Sequence, residues 1–155
     1  MWIEIMNGPN LHRIGTREPD IYGTMPMDAC LSLLRQRYEG ALRLTYFQSN
    51  HEGALIDRLY ELEEAGAHGI VLNAGAYTHT SLALADALRT IAIPTIEVHL
   101  SNIYAREQIR QTSLLSPACR GVISGFGMDS YRLGVESLMA LLTSSALSTI
   151  TNQSK

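Results

Sequence analysis

Lysine is almost absent from this chain: of 155 residues only the last, Lys155, is one. That absence removes whole classes of chemistry. No internal amine is available for a Schiff base, and no phosphate loop ending in GK[ST] can be built. The other eleven basic residues are arginines, whose planar fork suits fixed, bidentate holding of oxygen-rich anions. Cysteine is scarce as well. Cys30 and Cys119 are far apart and form no CxxC pair, so they read as reduced thiols of a cytoplasmic protein, with a disulfide left open. No apolar run approaches the roughly 18 residues of a membrane span. The opening MWIEIMNG lacks the basic stretch of a signal peptide. A net charge of -3 speaks against nucleic acid as the partner. His12, His51, His68, His79 and His99 show neither HxxxH nor HxH spacing, so no metal site is expected. A GxSxG nucleophile elbow is also missing.

What is present reads as one globular domain. Hydrophobic residues make up 46% and charged residues 17%, ordinary proportions for a folded core. Trp2 to Met6 predicts a strand closed by Asn-Gly-Pro-Asn. Asp28 is placed to cap a helix with Leu31, Leu34 and Tyr38 on one stripe. Leu42 to Gln48 alternates as a strand, and Asn50 to Gly66 has helical spacing. Strands follow at Gly69 to Asn73, Pro94 to Leu100 and Gly121 to Ser124. Helices are expected over Ser81 to Ile91, Ile103 to about Gln111, and Met128 to about Leu147. Residues 1–147 form the domain and 148–155 a polar, fraying tail. Strands alternating with amphipathic helices predict an α/β, flavodoxin-like doubly wound five-stranded parallel sheet, order 2-1-3-4-5.

In such a sheet ligands bind beyond the carboxyl ends of the strands, near the switch in strand order. The segments leaving those ends are NGPN (7–10), QSNHEG (48–53), NAGAYTHTS (73–81), HLSN (99–102) and SGFG (124–127). The first, third and fourth adjoin at the switch point and are rich in donors; the second and fifth read as ordinary loops. Flavin binding is the minority reading, because the first loop offers no Ser/Thr-rich phosphate nest. A further segment, REPDIYG (17–23), is too polar and punctuated for a strand or mid-helix. It reads as a flap carrying Tyr22 and, five residues earlier, Arg17. Guanidinium groups beside a phenol favour phenolate and turn a poor base into a useful one. Arg106 and Arg110 can add to that field, and a surface ion pair with Glu107 is the plainer account of both. The residues alone leave open a non-catalytic flavodoxin-like module that binds an anion or a protein partner.

Six blocks in register, NGPNL (7–11), GTREPDIYG (15–23), FQSNHEG (47–53), GAYTHTS (75–81), EVHLSN (97–102) and SPACRGVISGFG (116–127), resemble type II 3-dehydroquinate dehydratase. The resemblance implies anti elimination of water from 3-dehydroquinate to give 3-dehydroshikimate through an enolate, in the shikimate pathway. It implies no cofactor or metal, and a homo-dodecamer built as a tetramer of trimers. By motif, Tyr22 would be the base, Arg17 the group that keeps it ionised, and His99 the acid oriented by Glu97. Asn10 would stabilise the enolate through a water. Asn73, Leu100 and Ser101 would hold the substrate carboxylate. His79 and Arg110 would hold ring hydroxyls with Asp86 from a neighbouring subunit, and Arg106 would add positive field. His12 and Arg13 stand where the family usually has Asn and Leu, Ala74 where it usually has Pro, and Ser124 where it commonly has Cys.

Overall fold

A computed structural model of the chain describes residues 1–15 and 25–153, with side chains up to residue 144. Its strands are β1 Trp2–Asn7, β2 Arg43–Gln48, β3 Gly69–Asn73, β4 Thr95–His99 and β5 Gly121–Ser124. They form one parallel sheet in the order β2-β1-β3-β4-β5, the doubly wound order that the sequence predicts. The helices are α1 Met27–Arg37, α2 Glu52–Glu64, α3 Tyr77–Thr80, α4 Leu82–Thr90 and α5 Asp129–Gln153.

Side-chain alternation along the strands sorts the core into two layers. Ile3, Ile5, Val71, Ile96 and Val98 face α1 and α5, where Leu31, Leu34, Val135 and Leu138 meet them. Met6, Ile70 and Leu72 face α2 and α4, against Leu55, Leu59, Leu62, Leu84 and Leu88. Leu55, Leu59 and Leu62 recur at the spacing of one helix face, and all three are fully buried. Ser81 caps α4 by accepting the Leu84 N–H at 2.8 Å.

Some expectations differ from what is seen. Asp28 does not cap α1; the extended Pro26 precedes the helix, and Asp28 lies inside the first turn, where its charge still favours the helix dipole. The stretch expected to be helical from Ile103 to Gln111 is two 3-10 turns, Ile103–Ala105 and Gln108–Arg110. Its side chains give no continuous apolar face, since Ile103 is buried but Ile109 is 71% exposed, and short helices are held mainly by such a face. The closing helix runs to Gln153, past its expected end near Leu147. Among the described residues no helix is long and apolar enough to cross a membrane.

Gly134 sets how closely α5 lies on the sheet. A Cβ there would meet Val71 Cγ1 at 2.8 Å and Val98 Cγ1 at 3.1 Å. Neither valine arm can swing aside cheaply. This close approach brings Tyr131, one turn earlier, down to the strand ends. We predict that Gly134→Ala destabilises the fold by about 1–2 kcal/mol in urea unfolding. The overpacking cost of roughly 1–3 kcal/mol outweighs a helix-propensity gain of about 1 kcal/mol. An unchanged or raised midpoint would contradict this packing.

Candidate active site

The site begins with a spacing. On a strand, residues two apart share a face, so β4 puts Glu97 and His99 side by side. The His99 Nε2 lies 2.5 Å from Glu97 Oε1. Glu97 is fully buried and His99 nearly so. The opposite ring nitrogen of His99 is not engaged by Glu97. The second carboxylate oxygen, Oε2, accepts a hydrogen bond from Ser113 at 2.9 Å. Burial, and then the charge of Glu97, push the Cys119 thiol up to about 12. Cys119 and Cys30 are both free thiols.

The chain after His99 is aimed by the fifth loop. The His99 carbonyl accepts from Gly125 N–H at 3.2 Å and from Ser130 Oγ at 3.0 Å. The Leu100 carbonyl accepts from Gly127 N–H at 2.9 Å, and the Ser101 carbonyl from Ser124 Oγ at 3.0 Å. In trans peptides the N–H points opposite to the preceding carbonyl. The N–H groups of Leu100 and Ser101 are therefore turned the other way, and both residues line a cleft.

That cleft, of about 330 Å³, lies where the β1, β3 and β4 loops meet. Asn10 enters it in the left-handed conformation, φ 68°, which asparagine tolerates better than most residues. Its N–H is held by Asn50 Oδ1 at 2.9 Å, and Gln48 Nε2 donates to the same oxygen at 3.1 Å. The second loop thus braces the first. Gly8 lets the two strand exits touch, since a Cβ there would lie 2.3 Å from the Ala74 carbonyl oxygen. Asn73 is anchored beneath: its Nδ2 donates to Tyr131 Oη at 3.1 Å, and its Oδ1 accepts from Gly75 N–H at 3.3 Å. The Tyr131 hydroxyl in turn donates a hydrogen bond to Asn7 Oδ1 at 2.8 Å. Complete burial raises the Tyr131 pKa far above that of a free phenol, so this ring is a neutral strut and not a base.

His79 stacks near His99, ring centroids 6.3 Å apart. Its Nδ1 lies 2.8 Å from the Thr112 carbonyl; because a carbonyl only accepts, that nitrogen carries the proton. Arg13, Arg106 and Arg110 line the cleft against one carboxylate, Glu107. Glu107 takes Arg110 at 2.7 Å and Arg106 at 3.5 Å. The hydrogen bond from Arg110, a backbone N–H and the Arg106 charge hold its carboxyl below the usual value. Among the described residues of the lining, arginines outnumber carboxylates, a composition that suits an anionic ligand.

Of the residues that the sequence nominates, Asn10, Asn73, His79, His99, Leu100, Ser101, Arg106 and Arg110 share this cleft, and Glu97 supports it from below. Arg17 and Tyr22 lie outside the described residues. Asp86 is not brought to the cleft of its own chain; it sits exposed on α4, paired with Arg89 at 2.8 Å. His68 is structural, accepting the Trp2 N–H at 3.1 Å. No group of His, Cys, Asp and Glu among the described residues is arranged to hold a metal ion. Ser113, Tyr131, Asn7 and Asn50 are supporting residues that sequence patterns did not nominate. Asn7 and Asn50 sit in loop segments that the sequence did single out, and Ser113 carried a local signal, a serine set just before the Ser116–Pro117 turn.

The profile of the family described as Dehydroquinase class II matches residues 1–139. The chain is 50% identical to the 3-dehydroquinate dehydratase of Pelodictyon phaeoclathratiforme, covering 91% of this chain and 93% of the relative. It is 53% identical to that of Bacillus licheniformis, covering 88% and 94%. The crystal structure of a type II dehydroquinase from Butyrivibrio crossotus superposes with a TM-score of 0.87 at 41% identity, covering 89% and 97%.

The Asn7–Tyr131–Asn73 network gives a test of how the cleft floor is held. Tyr131→Phe leaves two buried amides each short of a partner. We predict a loss of about 1–3 kcal/mol in denaturant unfolding. A variant as stable as the parent would show that these amides do not depend on the phenol.

Proposed function

The chain belongs to the class II dehydroquinase family, and from that premise we propose how its residues carry out the reaction. The activity is that of a 3-dehydroquinate dehydratase, a hydro-lyase acting in the shikimate pathway. The elimination is anti and passes through an enolate. Tyr22, as phenolate, takes the proton alpha to the ketone. Arg17 keeps that phenol ionised, and Arg106 adds to the field. The enolate then expels the C1 hydroxyl, which takes a proton from His99 and departs as water. The proton gained by Tyr22 and the one lost by His99 are re-equilibrated through solvent before the next turnover.

Preorganised donors must sit where negative charge develops. Asn10, through a water, serves the enolate oxygen. Asn73 and the Leu100 and Ser101 donors take the substrate carboxylate. His79 and Arg110 take ring hydroxyls.

The observation that carries this reading is the buried Glu97–His99 pair at 2.5 Å beneath a cleft with cationic walls. A departing hydroxide needs a proton donor, and an oxygen-rich anion needs fixed cations and amides. The Tyr22 assignment draws support from where its segment is attached. Ile14 lines the cleft, and a Cβ on Gly15 would lie 2.9 Å from the Pro26 nitrogen. Gly15 and Pro26, described residues on either side of the segment that holds Tyr22, therefore meet beside the site.

Assembly belongs to the same proposal. Asp86, exposed and away from its own cleft, completes the site of a neighbouring subunit in a homo-dodecamer of four trimers. Tyr104, Val122 and Phe126 are exposed at the outer edge of the sheet beside β5, a surface that self-association would cover. Residence in the cytoplasm accords with the two free thiols.

The product is a conjugated enone, so ultraviolet absorbance rises when the protein and 3-dehydroquinate are mixed. Tyr22→Phe is expected to abolish that rise, by at least about a hundredfold, while leaving substrate affinity within a few-fold. Turnover retained in this variant would remove Tyr22 from the role of base.

A further inference from the structure

The hydroxyl of Ser113 has only one place to send its proton. A serine oxygen offers one donor and two acceptor sites. Both acceptor sites are occupied, by the N–H groups of Leu115 at 3.1 Å and Ser116 at 2.9 Å. The remaining proton goes to Glu97 Oε2 at 2.9 Å. Glu97 is fully buried, and its other oxygen is the one that holds His99. The segment carrying Ser113 is pinned on both sides. Leu114 N–H bonds the Thr78 carbonyl at 2.8 Å, and the Thr112 carbonyl meets His79 Nδ1 at 2.8 Å. One short strap therefore touches the supports of both cleft histidines.

We infer that Ser113 is a positioning residue that sets the strength of the Glu97–His99 pair. Its hydrogen bond fixes the carboxylate rotamer and draws charge onto Oε2. With less charge on Oε1, the imidazolium is gripped less tightly and surrenders its proton more readily to the departing hydroxide. Removing the donor concentrates charge on the carboxylate, which makes His99 a weaker acid. The inference rests on the proposed role of His99 as that acid. Among the described residues, the other titratable or charged groups facing the pair are the Cys119 thiol beside Glu97, the His79 ring, and Arg13, Arg106, Glu107 and Arg110 in the cleft. Besides Glu97, the partners of the Ser113 hydroxyl are backbone N–H groups, so its removal deletes no side-chain partner of these groups.

The test compares Ser113→Ala, Ser113→Thr and His99→Ala in the assembled protein, with kcat and KM for 3-dehydroquinate measured across pH. Ser113→Ala should lower kcat about tenfold and leave KM within about twofold, since a hydrogen bond to a charged group is lost. The alkaline limb of kcat should move up by about one pH unit, because the acid in the bound complex has become weaker. Ser113→Thr, which keeps the hydroxyl, should restore both. A merely structural serine would not move the pH limb. Should the alanine variant fail to fold, Ser113→Cys carries the comparison: a weak thiol donor of similar shape gives a smaller loss in the same direction. Parental kcat and an unmoved alkaline limb in a folded Ser113 variant lacking the hydroxyl, beside an inactive His99→Ala, overturn the inference and leave the proposed function standing. Full activity in His99→Ala overturns both.

Discussion

A carboxylate buried away from bulk solvent is the constraint on which the site is built. Glu97 is buried completely at the carboxyl end of β4, and an unpaired charge there would cost several kcal/mol. It is held by an imidazole on one oxygen and a hydroxyl on the other. Neither partner can move far without leaving charge uncompensated, so the orientation of His99 is set by the folding of the sheet. The histidine forms one floor of an arginine-lined cleft, which turns a structural necessity into a chemical tool.

Rigidity spreads outward from this point through hydrogen bonds that cross the chain at long range. Tyr131 on α5 joins Asn7 at the end of β1 to Asn73 at the end of β3. Ser124 and Ser130 fasten the carbonyls leaving β4. Asn50 and Gln48 fix the turn at Asn10. The loops that line the cleft are thereby backed by loops that do not. Such backing holds a catalytic constellation to the tolerance that chemistry requires.

Local pattern made most of the fold legible. Apolar runs mark β3 and β5 at the bounds observed, Gly69–Asn73 and Gly121–Ser124, and leucine spacing marks α2. The α3 turn, only Tyr77–Thr80, is too short to show a period. The 103–111 stretch has helix-forming residues but no packed face, so tertiary context decided its form. The cleft residues were legible because they sit in motif blocks at strand ends. Tyr131 was not, because its partners lie more than 50 residues away and its own helix gives no hint of them. Ser113 was half visible: its turn chemistry is local, whereas its donation to Glu97 follows only from the fold.

The central claim is that buried Glu97 acts through His99 on the departing hydroxyl and not on substrate binding. Glu97→Gln preserves the shape of the side chain and removes its charge, so turnover and affinity can be separated. Stopped-flow turnover combined with calorimetric binding of 3-dehydroquinate should show kcat reduced by about a hundredfold, with a Kd within a few-fold of the parent. Parental kcat in the folded variant, or a loss confined to Kd, would contradict the account.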